Sequence, residues 1–330
     1  MHHALDRRAL LGMASGTAGA MALPAWGQAL NYPNRPVTLV VPFSPGGAVD
    51  ISAQAIAEKL SRLLKQPMVV DNRAGAAGAT GCSAVAKAPA DGYTLIVASQ
   101  STHVANPAVT RSLPYDAIND FAPITLIDRL ANVLLVNAAL PVKTFPEFVK
   151  FVKARPGKWS YASSGNGTMA HLSMELLKTQ LGLFITHIPY RGAGPALADL
   201  LSGQVQMSWN NLTSNLAMIQ NGRLRALAVA SPIRTPQLPD VPTFNELKLP
   251  DLNLTSWTGL AAPARTPEPI IQLLYQSVRT IMRDPQTQEA WRSRGAMIPE
   301  NVRPDEYRRE IIQRIAFYQN VAKANKIVIE

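Results

Sequence analysis

The sequence predicts an α/β protein of two domains, and three features carry that expectation. Its N-terminal part alternates strand-like and helix-like segments: 37–41, 49–63, 67–72, 75–88 and 94–99. That alternation is the pattern of a parallel sheet with crossover helices. Two long extended segments, 121–140 and 254–262, suit a chain that crosses from one domain to another. Finally, about 300 residues remain once an N-terminal leader is set aside, enough for two domains.

The leader is residues 1–29. Arg7-Arg8 precedes an apolar, small-residue run over 9–23, and Gly27-Gln28-Ala29 offers small residues where a signal peptidase reads. This pattern predicts a cleaved export signal, and the paired arginines admit a twin-arginine route. The run is too short for a membrane span, and no later segment is long and charge-free enough to be one. The expected location is therefore the periplasm.

The first strand, 37–41 (VTLVV), is an apolar β-branched run as expected of a strand buried on both faces. Pro42 ends it. Phe43-Ser44-Pro45-Gly46-Gly47 forms a turn-rich loop, and from Val49 a helix is expected with Ile51, Ala55, Ile56, Leu60 and Leu63 on one face. A strand that runs through glycines into a helix points free backbone N–H groups, and the positive end of the helix dipole, at whatever lies in front. Glycine lets a ligand approach the backbone closely. A tight turn with no ligand has the same sequence signature.

Residues 67–72 read as the second strand. The following Gly75-x-x-Gly78-x-x-Gly81 lacks the G-x-G-x-x-G spacing and position of a dinucleotide site, so no nucleotide cofactor is expected. The third strand, 94–99, ends in a polar stretch holding Ser101, Thr102, His103 and Asn106. Ligands of open parallel sheets bind at such strand ends. His103 reads as a cap or surface residue, since no carboxylate stands at a spacing that would orient it. In the first crossing, Asp128-Arg129 splits two apolar runs. A helix is expected over 144–155 and a strand over 159–163. Ser163-Ser164-Gly165-Asn166-Gly167-Thr168 then repeats the glycine-rich helix entry, with Thr168 as an alternative cap. Further expected segments are a strand over 185–189, a loop Tyr190-Arg191-Gly192-Ala193-Gly194-Pro195, a helix over 196–202 and strands over 206–209 and 224–230. The amphipathic helices 267–282 and 304–326 close the chain, the last with Tyr307, Ile311, Ile315, Tyr318 and Val321-Ala322 along one face.

Composition excludes several functions. The formal net charge is +10, but the basic residues are dispersed and carry no aromatic stripe, so nucleic acid is not an expected partner. A basic exported protein suits small anions or a membrane surface. The single cysteine, Cys82, forbids an intrachain disulfide and reads as helix packing. Beyond the leader only His103, His171 and His187 remain, with no metal-ligand spacing, so no metal is expected.

The ordered set PFSPGGAVD, NRAGAAG, APADGYTL, YASSGNGTMAHL, YRGAGPALADLLSGQV, LPDVPT and SWTGLAAP resembles the Bug family, the extracytoplasmic solute receptors of tripartite tricarboxylate transporters. The resemblance runs from about residue 32 to the C-terminus. It implies a two-domain periplasmic binding protein of type II with two strand crossovers as hinge: 30–131 with 258–330 as domain 1, and 132–257 as domain 2. It implies that the loop holding Phe43, Pro45, Gly46, Gly47 and Asp50 faces the loop from Ser163 to Thr168 across a cleft. Together they would grip a carboxylate with little use of Arg or Lys. Ser101, Thr102, Asn106, Tyr190, Gly192 and Asn210 complete the expected ligand-binding set. The expected partners are a small organic acid, mono- or dicarboxylate, and the membrane components of the transporter. A monomer without cofactor and without catalytic residues is expected. Gln206 stands where the family commonly has an acid, and Trp209-Asn210-Asn211 is unusual there, which leaves the far end of the pocket open. A receptor feeding a membrane signalling protein is the alternative. A secreted hydrolase lacks G-x-S-x-G and a triad setting for its histidines.

Overall fold

The computed structural model describes residues 31–324. From the N-terminus, β1 (Val37–Val41) leads into α1 (Ala48–Leu64), then β2 (Met68–Asn72), a helical turn (Ala76–Gly78), α2 (Ala79–Ala86) and β3 (Thr94–Ser99). A short helical stretch follows, Ser101–Ala105, continuing into α3 (Asn106–Val109). The chain then runs through β4 (Phe121–Leu130) into β5 (Asn132–Asn137) with only Ala131 between. Next come α4 (Phe145–Lys153), β6 (Ser160–Ser163), α5 (Met169–Leu181), β7 (Thr186–Pro189), α6 (Ala193–Ser202), β8 (Met207–Asn211), α7 (Leu212–Gln220) and β9 (Leu224–Ala230). After a long loop, β10 (Ser256–Pro263) precedes α8 (Glu268–Arg283), α9 (Pro285–Arg292), β11 (Ala296–Met297) and α10 (Pro304–Ala324).

The strands form two sheets, ordered β11-β4-β10-β3-β1-β2 and β7-β6-β8-β5-β9. In the first, β1 pairs in parallel with β2 and β3, while β10 runs antiparallel to β3 and β4. In the second, β6 is parallel to β7 and β8, and β5 is antiparallel to β8 and β9. The chain changes sheet twice, at Ala131 and in the loop between β9 and β10. The result is a mixed α/β fold of two sheets joined by two crossovers.

Alternation along the strands feeds cores on both faces. Val37, Leu39 and Val41 pack with Ile56 and Leu60 of α1 and Leu274 and Val278 of α8, whereas Val40 joins Cys82 and Val85 of α2. Cys82 is a free, buried thiol in that packing. Tyr307, Ile311, Ile315, Tyr318 and Ala322 are the buried stripe of α10.

Three expectations are corrected. The buried stripe of α1 is Ala53, Ile56, Ala57 and Leu60, together with Ala48, Asp50 and Ser52, while Leu63 is exposed. The stripe is rotated because Asp50 and Ser52 have polar partners inside. Asp128-Arg129 does not interrupt the crossing: both lie within β4, Asp128 bonded to Ser52 and Thr258, and Arg129 held by a bidentate pair to Glu310. Finally, α6 starts at Ala193, three residues before the expected 196, because Gly194 and Pro195 fit a first helical turn. The two helices α7 and α9 were not anticipated.

Candidate functional site

Two strand ends and two helix starts build the site. β1 stops at Pro42, and Gly46 adopts φ +85°, a left-handed conformation that only glycine takes without strain. Gly47 precedes α1 at φ −82° and ψ 165° with no side-chain cap. The loop is braced from below. Asp50 Oδ2 accepts from the Gly46 N–H at 3.0 Å, and its Oδ1 accepts from the Asn72 amide at 3.0 Å. The same amide donates to the Phe43 carbonyl at 3.0 Å. Asp50 therefore positions the loop.

The second helix entry is braced as heavily. Ser163 Oγ donates to Gly165 O at 3.1 Å, accepts from Gly165 N–H at 3.2 Å and lies 2.6 Å from His187 Nε2. Thr168 Oγ1 turns away from α5 to donate to Gly165 O at 2.7 Å, so it does not cap the helix. The Gly167 N–H donates to His171 Nδ1 at 3.2 Å. His171 and His187 stack face to face with centroids 4.0 Å apart, beside the Tyr161 ring. Burial lowers the basicity of both imidazoles. His187 falls to about 3, with help from neighbouring His171 and Lys178. Both are neutral at neutral pH, as the Nδ1 acceptor role of His171 requires.

Each glycine loop packs on a neighbouring helix start or turn. Ser44 Oγ donates to Arg191 O at 2.9 Å, and a Cβ on Gly47 would lie 3.3 Å from Ala193 Cβ. So the first loop packs on the start of α6, at Gly192 to Gly194. The second loop packs on the turn before α2: a Cβ on Gly165 would meet Ala77 Cα at 3.1 Å, and one on Gly167 would meet Asn106 Oδ1 at 2.8 Å. The Ser101 hydroxyl also bridges the sheets, accepting from the first N–H of α5, Met169, at 3.1 Å.

Between these contacts lies a cavity of about 50 Å³. Ala48 and Val49 of α1, Met169 and Ala170 of α5, Ala193 of α6 and Asn211, which precedes α7, all reach it. Four helix N-termini thus converge on one space. Hydroxyl and amide groups complete the wall, and no charged side chain lines it. Asp128 sits behind the wall. It accepts from the Thr258 N–H and hydroxyl at 3.2 and 2.6 Å, and burial pushes its carboxyl up to about 6 while those bonds and that from Ser52 pull it back.

The expected site residues divide. Phe43, Gly47, Ser101, Ser164 and Asn210 line this cavity. Asn106, Gly165, Asn166 and Tyr190 line a second, wider one of about 630 Å³ alongside Arg191. Pro45 and Gly46 are exposed, while Asp50, Ser163, Gly167, Thr168 and Gly192 shape the loops from behind. Thr102 lies in neither cavity: fully buried, it accepts from the Ser99 N–H at 3.1 Å and ties down the end of β3. His103 is not at the surface. It is buried against Phe121 and bonded to Thr102, which is why burial lowers it to about 3.

Sequence reasoning missed most of the opposite wall. Asn132, Trp209, Ser256, Trp257 and Thr258 come from the crossover strands and β8. Asn132 joins the two crossings: its amide donates to Leu254 O and Ser256 Oγ, and its oxygen accepts from Asn211 at 2.7 Å. The sequence signals for this wall were indirect: Asn132 at the break between two apolar runs, Trp209 in a segment unusual for the family, and Ser256-Trp257-Thr258 opening the SWTGLAAP motif.

Residues 52–327 match the model of the tripartite tricarboxylate transporter family receptor. Protein BugT of Bordetella pertussis is 37% identical over 316 residues, 96% of each chain. A structure described as an R. palustris protein with adipate is 37% identical, with a TM-score of 0.87 over 90% of this chain and 99% of its own. A Rhodopseudomonas palustris protein with bound malate is 33% identical, with a TM-score of 0.84 over 88% and 99%. Fold, motifs and relatives agree, and the chain belongs to the Bug-type receptors of the tripartite tricarboxylate transporter family.

Proposed function

We propose that this chain captures a small organic acid, mono- or dicarboxylate, in the cavity between its sheets and delivers it in the periplasm, as a monomer, to the membrane components of a tripartite tricarboxylate transporter. The observation that carries this reading is the convergence of four helix N-termini on a cavity with no charged side chain. Each brings the positive end of a helix dipole, and the first-turn N–H groups of α1, Ala48 and Val49, lie at the cavity, so an anion is the matching ligand. Hydrogen bonds to a charged acceptor are worth about 1.5–3 kcal/mol each, so a few suffice without a guanidinium. Adipate and malate in the related structures are in keeping with it. In this reading 30–131 with 258–330, and 132–257, are the two domains that close on the acid, and residues 1–29 are the export signal.

The family consists of receptors rather than enzymes. The Ser163–His187 pair does not revive the hydrolase: Ser163 is 1% exposed and its hydroxyl is bonded to the backbone of its own loop. Among the described residues no helix is long and apolar enough to cross a membrane, and none of their His, Cys, Asp and Glu side chains cluster as a metal site.

A thermal-shift screen of organic acids against their amides and methyl esters tests the reading. Carboxylates should raise the melting temperature with mass-action dependence, by about 2.7 kcal/mol of stabilisation at a hundredfold excess over Kd. Equal stabilisation by the ester or amide of the best acid would refute it.

A further inference from the structure

Where the halves built on the two sheets approach each other, glycines take the contact. A Cβ on Gly165 would lie 3.1 Å from Ala77 Cα, one on Gly192 3.0 Å from the Ser44 nitrogen, and one on Gly194 2.7 Å from the Pro45 carbonyl oxygen. Each of these pairs joins the half holding the second sheet to the half holding the first. At Gly165 and Gly192 the backbone alone accounts for the residue, since φ of +133° and +149° strains any side chain. Gly194 has no such need. It sits in the first turn of α6 without a positive φ, where alanine is the better helix former. It lines neither cavity. What accounts for a glycine there is the Pro45 carbonyl on the other half, too close to admit a Cβ.

The ties at this seam are of a kind that water can replace. Ser44 Oγ donates to the Arg191 carbonyl at 2.9 Å, and the Met169 N–H to Ser101 Oγ at 3.1 Å. Such neutral bonds exchange for bonds to water at small net cost. Among the described residues the ion pairs close within one half, as Arg129 does with Glu310 in the first and Arg234 with Glu246 in the second. Gly81 in α2 is the contrast. Its Cβ would come 2.8 Å from Pro42 Cα and 3.1 Å from the Arg73 carbonyl, both in its own half. That clash would be present however the two halves sit.

We infer that the two halves part at this seam when no ligand is bound, and that Gly194 sets how closely they can shut. A side chain at this position would hold α6 off the Pro45 carbonyl. Its neighbour Ala193, which lines the 50 Å³ cavity, would be held back with it. The grip on the acid would weaken although nothing that touches the acid has changed. Gly194 is thus a positioning residue, acting through closure. This rests on the receptor reading above and deepens it.

The test pairs Gly194→Ala with Gly81→Ala in the mature protein. In ligand-free thermal melts Gly81→Ala should lower the melting temperature by several degrees. Gly194→Ala should leave it within about one degree of wild type or raise it, since an open seam holds no clash and alanine favours the helix. Isothermal titration and stopped-flow tryptophan fluorescence then use succinate and adipate. For the tighter of the two, Gly194→Ala should raise Kd about tenfold or more, almost wholly through faster dissociation, because the open form that first meets the acid is unchanged. At saturation, small-angle scattering should give the variant a larger radius of gyration than wild type. Equal effects of the two substitutions on the ligand-free melting temperature, or a Gly194→Ala protein that does not fold, would show the seam to be permanent packing and overturn the inference. A Kd within threefold of wild type would overturn it too. If neither acid binds the wild type, the ligand-free melts still decide whether the seam opens, and a blank in the wider acid screen would count against the carboxylate reading alone.

Discussion

Gly47→Val is the sharpest perturbation of the site. Gly47 has φ −82° and ψ 165°, extended backbone that valine adopts readily, so strain is not the expected cause of any effect. The cause is space. A Cβ there would lie 3.3 Å from the Ala193 Cβ, tighter than the usual carbon–carbon separation of about 3.5–4.0 Å. One methyl can be relieved by a shift of a few tenths of an ångström. The two γ-methyls of valine reach about 1.5 Å further, which would either fill the 50 Å³ cavity or push the starts of α1 and α6 apart. Both outcomes take the N–H groups of Ala48 and Val49 out of reach of a carboxylate. Two lost charge-assisted hydrogen bonds amount to about 3–6 kcal/mol, a weakening of at least about a hundredfold. Gly47→Ala should cost about tenfold or less. Gly46→Ala is the complementary control: its Cβ meets nothing within 4 Å, but at φ +85° it should cost about 1–2 kcal/mol of stability. The assay is isothermal titration with the best acid from the thermal screen, with circular dichroism to confirm folding. A folded Gly47→Val protein that binds within threefold of wild type would refute the assignment of this loop to the anion.

Three further outcomes follow from the same geometry. The folded carboxyl of Asp128 titrates at about 6 rather than 3.8, so the native state holds that proton more tightly than the unfolded chain. Its contribution is therefore full below about 3.8 and lost as pH rises through 6. Relative to Asp128→Asn, the wild type should lose on the order of 3 kcal/mol of unfolding free energy between pH 4 and 7.5 in urea melts; a flat or reversed difference would show that burial does not govern this group. If the two crossings act as hinges, saturating acid should shrink the radius of gyration seen by small-angle scattering, and an unchanged radius would count against domain closure. The expected export signal, residues 1–29, lies outside the described residues; if it is cleaved as expected, N-terminal sequencing of the periplasmic protein should begin within two residues of Leu30, and a start at Met1 would exclude cleavage.

Much of the fold was legible because its signals are local. The run VTLVV and the run TLIVAS each coincide with their strand, since β-branched apolar residues have few other places to go. Helix α7, LTSNLAMIQ, carries no charged face to contrast with its apolar one, and α9 buries only Thr287 and Trp291. Neither offers a periodicity to read. The site divides along the same line. Glycine loops announce themselves, because φ +85° at Gly46 restricts the residue type. Backbone donors at Ala48, Val49, Ala170 and Ala193 leave no mark, since any side chain can carry an N–H. The burial of His103 depends on Phe121 and Tyr115, and the engagement of Asp50 on Asn72, partners set by tertiary contact rather than by spacing.

A cavity without charged side chains holding an anion is physically reasonable once the position of the positive charge is considered. A lysine or arginine beside the ligand would supply charge on a flexible stem whose ordering costs entropy on every binding event. Helix N-termini supply it from atoms already fixed by folding, and here the fixing is visible: Asp50 and Asn72 hold one loop, and Ser163, Thr168 and His171 hold the other. The same economy extends to the crossovers. Asn132 at the first crossing bonds to Leu254 and Ser256 at the second and to Asn211 ahead of α7, and three of these four residues, Asn132, Asn211 and Ser256, line the cavity. The hydrogen bonds that set the geometry between the two crossings are thus made by side chains that also wall the cavity. If the proposed acid binds here and the crossings act as hinges, ligand contact and hinge geometry converge on one small amide network rather than on a path through either core.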